Sequence, residues 1–561
     1  MANRTRLRRA PLAALAVGAS SLLLAACGGT AAGGSGADGG SGTNARTTTS
    51  KEQPKAGGNL TFLIQDFPAG WVSSASSISS YEGNLWGEIT DKLVYVDPTG
   101  KVTPWVLSSW ETKGSAKQFV LHIKPGITFS DGTKVDAKAV VANLDIWAHG
   151  DKAKGVAQVG LFPSLNYEGA KALDDQTVEV NFSKPTLGFI PTLGYHGCIL
   201  LSPKTLDQSV AQQADLLKNI GSGPFVVKSY KQGVSYTLVK RKDYNWGPPV
   251  LGHTGPAYLD SLTYKVVADG STREQAVQSG GAQVDFNPNV ADIDQLRSQG
   301  LQVSTPKYLG FVDGFQIQAK QPPFDDVRVR QALQHAIDRK SILSTVYPPD
   351  FTTVAETLIQ SNVAEAQDLT SLIGYDPEQS KKLLDAAGWK VGADGIRVKD
   401  GKPLTFNLIP NPYVPSTQQE DELISQQLAK VGIKAPLKII PLANYAVVQK
   451  PPIPPVLSVS RSFVDFSTVG GVLTSTEGGQ NWFGLGTTDK TLNKLSQDIE
   501  GAATTAERAQ FAGQVQKHVL EQAYFIPILN LVQRIYLTAG NVHGVAFNGL
   551  AYANFYTAWL S

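Results

Sequence analysis

Phe119-Val-Leu-His-Ile-Lys-Pro-Gly-Ile-Thr-Phe-Ser-Asp-Gly-Thr133 reads as one strand followed by two turns, and the residues after it read as a helix. Phe119, Leu121 and Ile123 alternate, so they fall on one face of an extended segment. Pro125-Gly126 and Ser130-Asp131-Gly132 are turn chemistry, because Pro fixes φ and Gly reaches conformations closed to other residues. Asp136 is placed to accept the free backbone N–H groups of a helix whose inward residues are Val140, Val141 and Leu144. A hydrophobic period of two therefore gives way to a period of 3.6 within a few turns of chain, the signature of mixed α/β structure.

The same grammar recurs outward from this block. Thr177-Val-Glu-Val-Asn-Phe182 alternates and stops before Pro185. Asp376 caps a helix with Pro377 at its first position, Leu383 and Leu384 inward and Gly388 at its end. A further helix carries Leu423, Ile424, Leu428 and Val431 up to Gly432, and leads into an extended Leu437-Lys-Ile-Ile440. With 561 residues, 42% of them hydrophobic, the chain has material for about three or four domain-sized units. No fixed-period repeat points to a solenoid or propeller. The class is α/β with two or more lobes.

The start of the chain is of another kind. Arg4, Arg6, Arg8 and Arg9 precede an apolar stretch from Pro11 to Ala26, which ends in Leu24-Ala25-Ala26-Cys27. That order of basic, apolar and small residues is a secretory signal, too short for a spanning helix. Leu-Ala-Ala-Cys resembles the bacterial lipobox, which implies that Cys27 is acylated on sulfur and becomes the mature N-terminus. From Gly28 to about Ala56 the chain is Gly/Ser/Ala/Thr-rich and cannot pack a core, so it reads as a flexible tether with a reach of roughly 30 Å. Removing residues 1–26 takes away four Arg and no acid, leaving 46 Lys+Arg against 48 Asp+Glu, a net charge of −2. A near-neutral chain offers no basic stripe for nucleic acid and no polybasic patch for a membrane surface. With Cys27 acylated, Cys198 has no partner and is expected to be a small buried apolar residue.

Taken in order, these segments resemble the family 5 extracellular solute-binding proteins, the dipeptide, oligopeptide, opine and nickel receptors of ABC importers. The likeness is carried by Trp110-Glu111 with the 119–133 block and its helix, Asp174-Asp-Gln-Thr-Val-Glu-Val180, Gly221-Ser-Gly-Pro-Phe225, Tyr244-Asn-Trp246 and Tyr258-Leu-Asp-Ser-Leu-Thr-Tyr264. It continues through Pro323-Phe-Asp-Asp-Val-Arg-Val-Arg330, Ala336-Ile-Asp-Arg339, Tyr375-Asp-Pro377 to Ala387-Gly-Trp389, Val431-Gly-Ile433 and Phe525-Ile-Pro-Ile528. The resemblance implies a two-lobed periplasmic-binding-protein clamp of the large three-domain type, with mixed sheets flanked by helices. It places the signal at 1–26, the lipidated Cys and tether at 27–57, domain I at 58–97, 207–311 and 538–561, domain II at 98–206, and domain III at 312–537. It also implies a monomer that holds a short peptide or peptide-like solute between its lobes and delivers it to ABC permease subunits. Its contact with the membrane is through the lipid anchor alone, at the extracytoplasmic face. Trp110, Trp246 and Trp389 are read as packing residues, and Arg328, Arg330 and Arg339 as salt-bridged at a helix start.

No catalytic or metal motif interrupts that reading. Gly-x-Ser-x-Gly, His-Glu-x-x-His, Cys-x-x-Cys and a P-loop are all missing from the sequence, and His196-Gly-Cys198 alone makes no metal site. No cofactor, no metal and no enzymatic role are expected. In peptide-binding relatives a cleft Asp in a Trp-x-Ala-Asp-Tyr segment holds the ligand ammonium by a charge-assisted hydrogen bond. The matching segment here is Ser460-Arg-Ser-Phe-Val-Asp-Phe466, so Asp465 is the expected contact, although the Trp is missing and a Pro-rich run, 451–455, precedes it. Arg461 is a candidate for a ligand carboxylate, and Trp71, Tyr81 and Trp482 for stacking surface. A sugar or other neutral solute, nickel or haem, and a regulatory lipoprotein of the same fold stand as alternatives.

Overall fold

The computed structural model describes residues 52–66, 80–159, 162, 166–466, 469–473 and 481–561. They belong to one compact unit running from Gly42 to Ser561. A seven-stranded sheet has the order Gln302–Ser304, Tyr536–Thr538, Val284–Phe286, Asn59–Ile64, Ser261–Val266, Ser235–Lys240, Phe225–Lys231. Its central strand Asn59–Ile64 runs parallel to both neighbours. Phe62 meets Tyr264, Phe286 and Tyr536 in tilted or edge-to-face ring contacts at 5.0–6.2 Å.

The 119–133 block folds as its residues imply. Gln118–Ile123 and Thr177–Phe182 are adjacent antiparallel strands of a four-stranded sheet completed by Leu107–Lys113 and Tyr167–Ala172. Phe119, Leu121 and Ile123 are buried. The Asp136 carboxylate accepts from the Ala139 N–H at 2.8 Å, and the helix Ala137–His149 buries Val140 and Leu144. A third, antiparallel sheet has Asp313–Ile317 at its centre, between Val456–Val459 and Phe525–Leu529.

Two segments carry the chain between the seven- and three-stranded sheets. Residues 305–312 lead from Gln302–Ser304 to Asp313–Ile317, and residues 530–535 lead from Phe525–Leu529 back to Tyr536–Thr538. Pairs of crossovers of this kind are where a two-lobed molecule bends.

Two of the sequence blocks converge on one buried acid, and a third is tied to them through an arginine. The Asp91 carboxylate, wholly buried, accepts from the Tyr244 hydroxyl at 2.9 Å and the Trp246 indole N–H at 2.8 Å. Its own N–H donates to Ser222 Oγ. Gly221 and Gly223 lie so close to the preceding turn that a Cβ would meet Ile89 O at 2.0 Å and Ile89 C at 2.5 Å, which is why side chains are excluded there. Arg241 ties this knot to the 119–133 block by donating to Thr128 O and Phe129 O.

Trp246 and Trp389 are buried and Trp110 is half-buried against the core. Cys198 is free and buried, and burial pushes its thiol up to about 12. The arginines of the 323–339 block divide. Arg328 pairs with Asp326 at 2.6 Å, as expected. Arg330 and Arg339 instead donate to carbonyls, Arg330 to Phe324 and Gln522, Arg339 to Pro527, Ile373 and Ile337. Both are buried among helix and strand ends, where the acceptors left over are backbone oxygens rather than acids. The segment 437–440 pairs with Leu408 through a single parallel bridge instead of a strand, since Pro436 supplies no N–H for a ladder.

Candidate binding site

A cavity of about 490 Å³ opens between the two sheet-bearing regions. One wall is the carboxyl end of parallel strands of the seven-stranded sheet, Gln65 after Asn59–Ile64 and Asn287–Asn289 after Val284–Phe286. The other wall is the turn Pro412–Ser416 and the first turns of the helix Thr417–Ala429, with Gln419, Glu422 and Gln426. In open α/β sheets such crevices at strand carboxyl ends are where ligands sit. Gln65, Asn287, Asn289, Gln419 and Gln426 are set among prolines and aliphatic side chains and beside Glu422, and a carboxamide offers a donor and an acceptor without a charge that must be desolvated.

Asn287 does not spend its amide on the cavity. It adopts φ 57°, tolerable for Asn, and exchanges two hydrogen bonds with Ile535: its N–H donates to Ile535 O and its Oδ1 accepts the Ile535 N–H at 2.9 Å. The cavity wall is thereby fastened to the second crossover. Val414, also on the wall, packs with Tyr308 of the first crossover.

Behind that wall lies a buried aromatic and cationic cluster. Tyr308 and Arg534, one from each crossover, approach with the guanidinium 5.6 Å from the ring centroid. Arg534 lies 3.9 Å over the ring of Tyr552. His196 packs against Tyr195 at 4.0 Å and against Tyr552 at 5.7 Å. Burial, and then the Arg534, Lys92 and Arg461 cations, hold the His196 pKa well below 6.5, so the imidazole is neutral, and its Nδ1 has no partner. Arg461 is half-buried beside Tyr195 and Tyr308, and burial lowers its pKa. Its neighbour Ser462 bridges to Gly310 of the first crossover.

Asp465 sits differently from a free carboxylate. Its Oδ2 accepts from Arg508 Nη1 at 2.6 Å, and Arg508 also pairs with Glu365 at 2.9 Å. All three side chains are largely buried, Asp465 at 5% exposure. Trp482 is buried with its ring 4.8 Å from Phe311, and its carbonyl accepts from Gln316 and Gln318. Trp71 and Cys27 lie outside the described residues, as does the side chain of Tyr81. Arg461 is thus brought to the aromatic cluster, while Asp465 and Trp482 stand in the fabric of the three-stranded sheet and its helices.

Sequence reasoning passed over Tyr308, Tyr552 and Arg534, and took His196 only as half of a metal pair. One signal was there to use: Arg534 is a lone cation within Phe525-Ile-Pro-Ile-Leu-Asn-Leu-Val-Gln-Arg-Ile-Tyr-Leu537, and a charge in such a run needs a partner. Among the described residues no group of three His, Cys, Asp or Glu is arranged to hold a metal ion. Nor is any described helix long and apolar enough to cross a membrane.

Residues 101–458 match the family described as bacterial extracellular solute-binding proteins, family 5 Middle. The chain belongs to this family. It is 27% identical over 382 residues to the glutathione-binding protein GsiB of Escherichia coli O1:K1 / APEC, covering 68% of this chain and 67% of the relative. It is 26% identical over 408 residues to di/tripeptide-binding protein 1 of Pseudomonas aeruginosa (strain UCBPP-PA14), covering 67% and 71%. The dipeptide-binding protein of Pseudoalteromonas sp. SM9913, solved in complex with Met-Leu, superposes with a TM-score of 0.76 at 17% identity, over 90% of this chain and all of that one. The fold is the two-lobed clamp, and the chain is a solute-binding protein of the kind that serves ABC importers.

Proposed function

We propose that the protein is a lipid-anchored receptor that captures a short peptide or peptide-like solute between its lobes and hands it to a membrane permease. The cavity at the strand ends, which sets carboxamides among an apolar lining, carries this reading. Backbone amides of a peptide present alternating donors and acceptors, and Gln and Asn side chains answer both without selecting a side chain. The relatives named for glutathione and for di- and tripeptides support the same class of solute. Closure of the clamp is favoured to the extent that solute binds the closed state better than the open one.

Asp465 enters as the group a ligand ammonium would have to win from Arg508. That competition favours a second reading, a solute without an ammonium, such as a sugar. Mass spectrometry of solute retained by natively purified protein, with a thermal-shift screen of di- to pentapeptides, tests the choice. Peptide-dependent shifts that Asp465→Asn diminishes are expected if the ammonium docks there. Shifts indifferent to that change leave Asp465 structural, and the absence of any peptide shift overturns the peptide reading.

Anchoring rests on Cys27 at the end of Leu24-Ala-Ala-Cys27. Two or more acyl chains hold a protein stably at a bilayer where one does not. Cys27→Ser is expected to move the protein from the membrane to the soluble fraction on cell fractionation. Continued membrane association would show that something other than this cysteine holds it.

A further inference from the structure

Six arginines are buried among the described residues, and five of them each donate two or more hydrogen bonds to acids or backbone carbonyls. Arg241 and Arg397 each combine an acid with backbone carbonyls. Arg273 does the same through Asp285 and the carbonyls around it. Arg330 and Arg339 reach two or more carbonyls each. Arg534, 3% exposed, is the exception. Its guanidinium makes one hydrogen bond among the described residues, from Nη1 to Gln533 Oε1, and no salt bridge, and its Nε is buried without a partner. A guanidinium removed from water with most of its five donors unused is costly, and proteins seldom tolerate one without a purpose.

We infer that Arg534 docks a carboxylate of the solute, at the hinge, through its Nε and Nη2 edge. This rests on the peptide-like reading above and names the end of the solute that is recognised. The Tyr552 ring lies 3.9 Å from the guanidinium, and the Tyr308 ring, from the other crossover, lies 5.6 Å from it. A planar fork held in this way meets a carboxylate with two parallel hydrogen bonds, stronger and more directional than a point charge. His196, on the same Tyr552 ring and neutral, adds an N–H to the carboxylate in its Nδ1–H tautomer without competing as a charge. Because Arg534 lies on one of the two segments that join the sheets and its guanidinium meets Tyr308 on the other, a carboxylate docked on its free edge bears directly on the hinge.

The test compares an equimolar pool of Ala-Xaa-Ala tripeptides with the same pool as C-terminal amides, by thermal shift and by calorimetry, on the whole protein. Wild type is expected to bind the acids on the order of 100-fold more tightly than the amides. Arg534→Gln should erase that preference while leaving the ligand-free melting temperature about where it was, since no internal acid loses a partner. Arg534→Lys keeps the charge but not the fork, and should retain only part of the preference. Equal binding of acids and amides by wild type overturns the inference and leaves the peptide reading intact, and so does a preference that survives in Arg534→Gln. If neither pool binds wild type, the peptide reading itself fails. The solute retained on native purification then decides: one bearing a carboxylate supports Arg534 as its dock, and one without overturns it. Should Arg534→Gln fail to fold, the lysine variant and the wild-type comparison still decide.

Discussion

Arg508→Ala should lower stability by about 3–5 kcal/mol at neutral pH. Arg508 is the one cation paired with both Asp465 and Glu365, at 2.6 and 2.9 Å, and all three side chains are at most 13% exposed. Its removal leaves two buried carboxylates facing a cavity. The loss is read as a fall in melting temperature. The sign of the pH dependence follows. Burial already raises the Glu365 pKa against the pull of Arg508, and removing that cation raises it further above its unfolded value, so the folded state binds more protons. Stability therefore recovers as pH is lowered from 7 toward 5, and thermal melts at the two values measure it. Glu365→Gln in the same background should remove much of the penalty. A variant that melts like wild type at pH 7 would show that the triad contributes nothing to the fold.

The second large effect is at Asp91. Asp91→Ala should cost roughly 2–5 kcal/mol, because the Tyr244 hydroxyl and the Trp246 N–H both lose a buried acceptor. Asp91→Asn should cost far less. The carboxamide oxygen can keep the Trp246 N–H, and the Tyr244 hydroxyl can turn to accept from the amide, whereas the indole can only donate. Burial raises the Asp91 pKa to about 6, above its unfolded value near 4, so the folded state binds the extra proton between those limits. The stability Asp91 contributes therefore declines as pH rises from about 4 to 6, and Asp91→Asn should flatten that part of the melting profile. Urea or thermal melts across this range compare the three proteins; equal losses for Ala and Asn would mean that the two donors find other acceptors.

These residues show where local pattern stops being informative. The alternation of Phe119, Leu121 and Ile123, the Asp136 and Asp376 caps and the Gly388 stop were legible because each depends on neighbours a few positions away. Tyr244, Trp246 and Gly221 were legible as blocks but not as parts of one knot. Their common partner Asp91 lies 153 residues from Tyr244. Asp465 could be located by its motif, yet its partner Arg508 is 43 residues on, in a helix whose periodicity says nothing of which acid it will meet.

By itself the sequence determined the α/β class, the family and the expectation of an exported, anchored solute receptor. Those follow from short-range spacing and from ordered blocks, which survive in one dimension. Only the tertiary structure decided which charges are spent and which remain available. Asp465 is compensated by Arg508, while Arg534 is carried by a chain crossover into an aromatic cluster with one hydrogen bond. The physical reason is that desolvation and pairing act through space. A charge has the same one-letter code whether the fold brings it an opposite charge or withholds one.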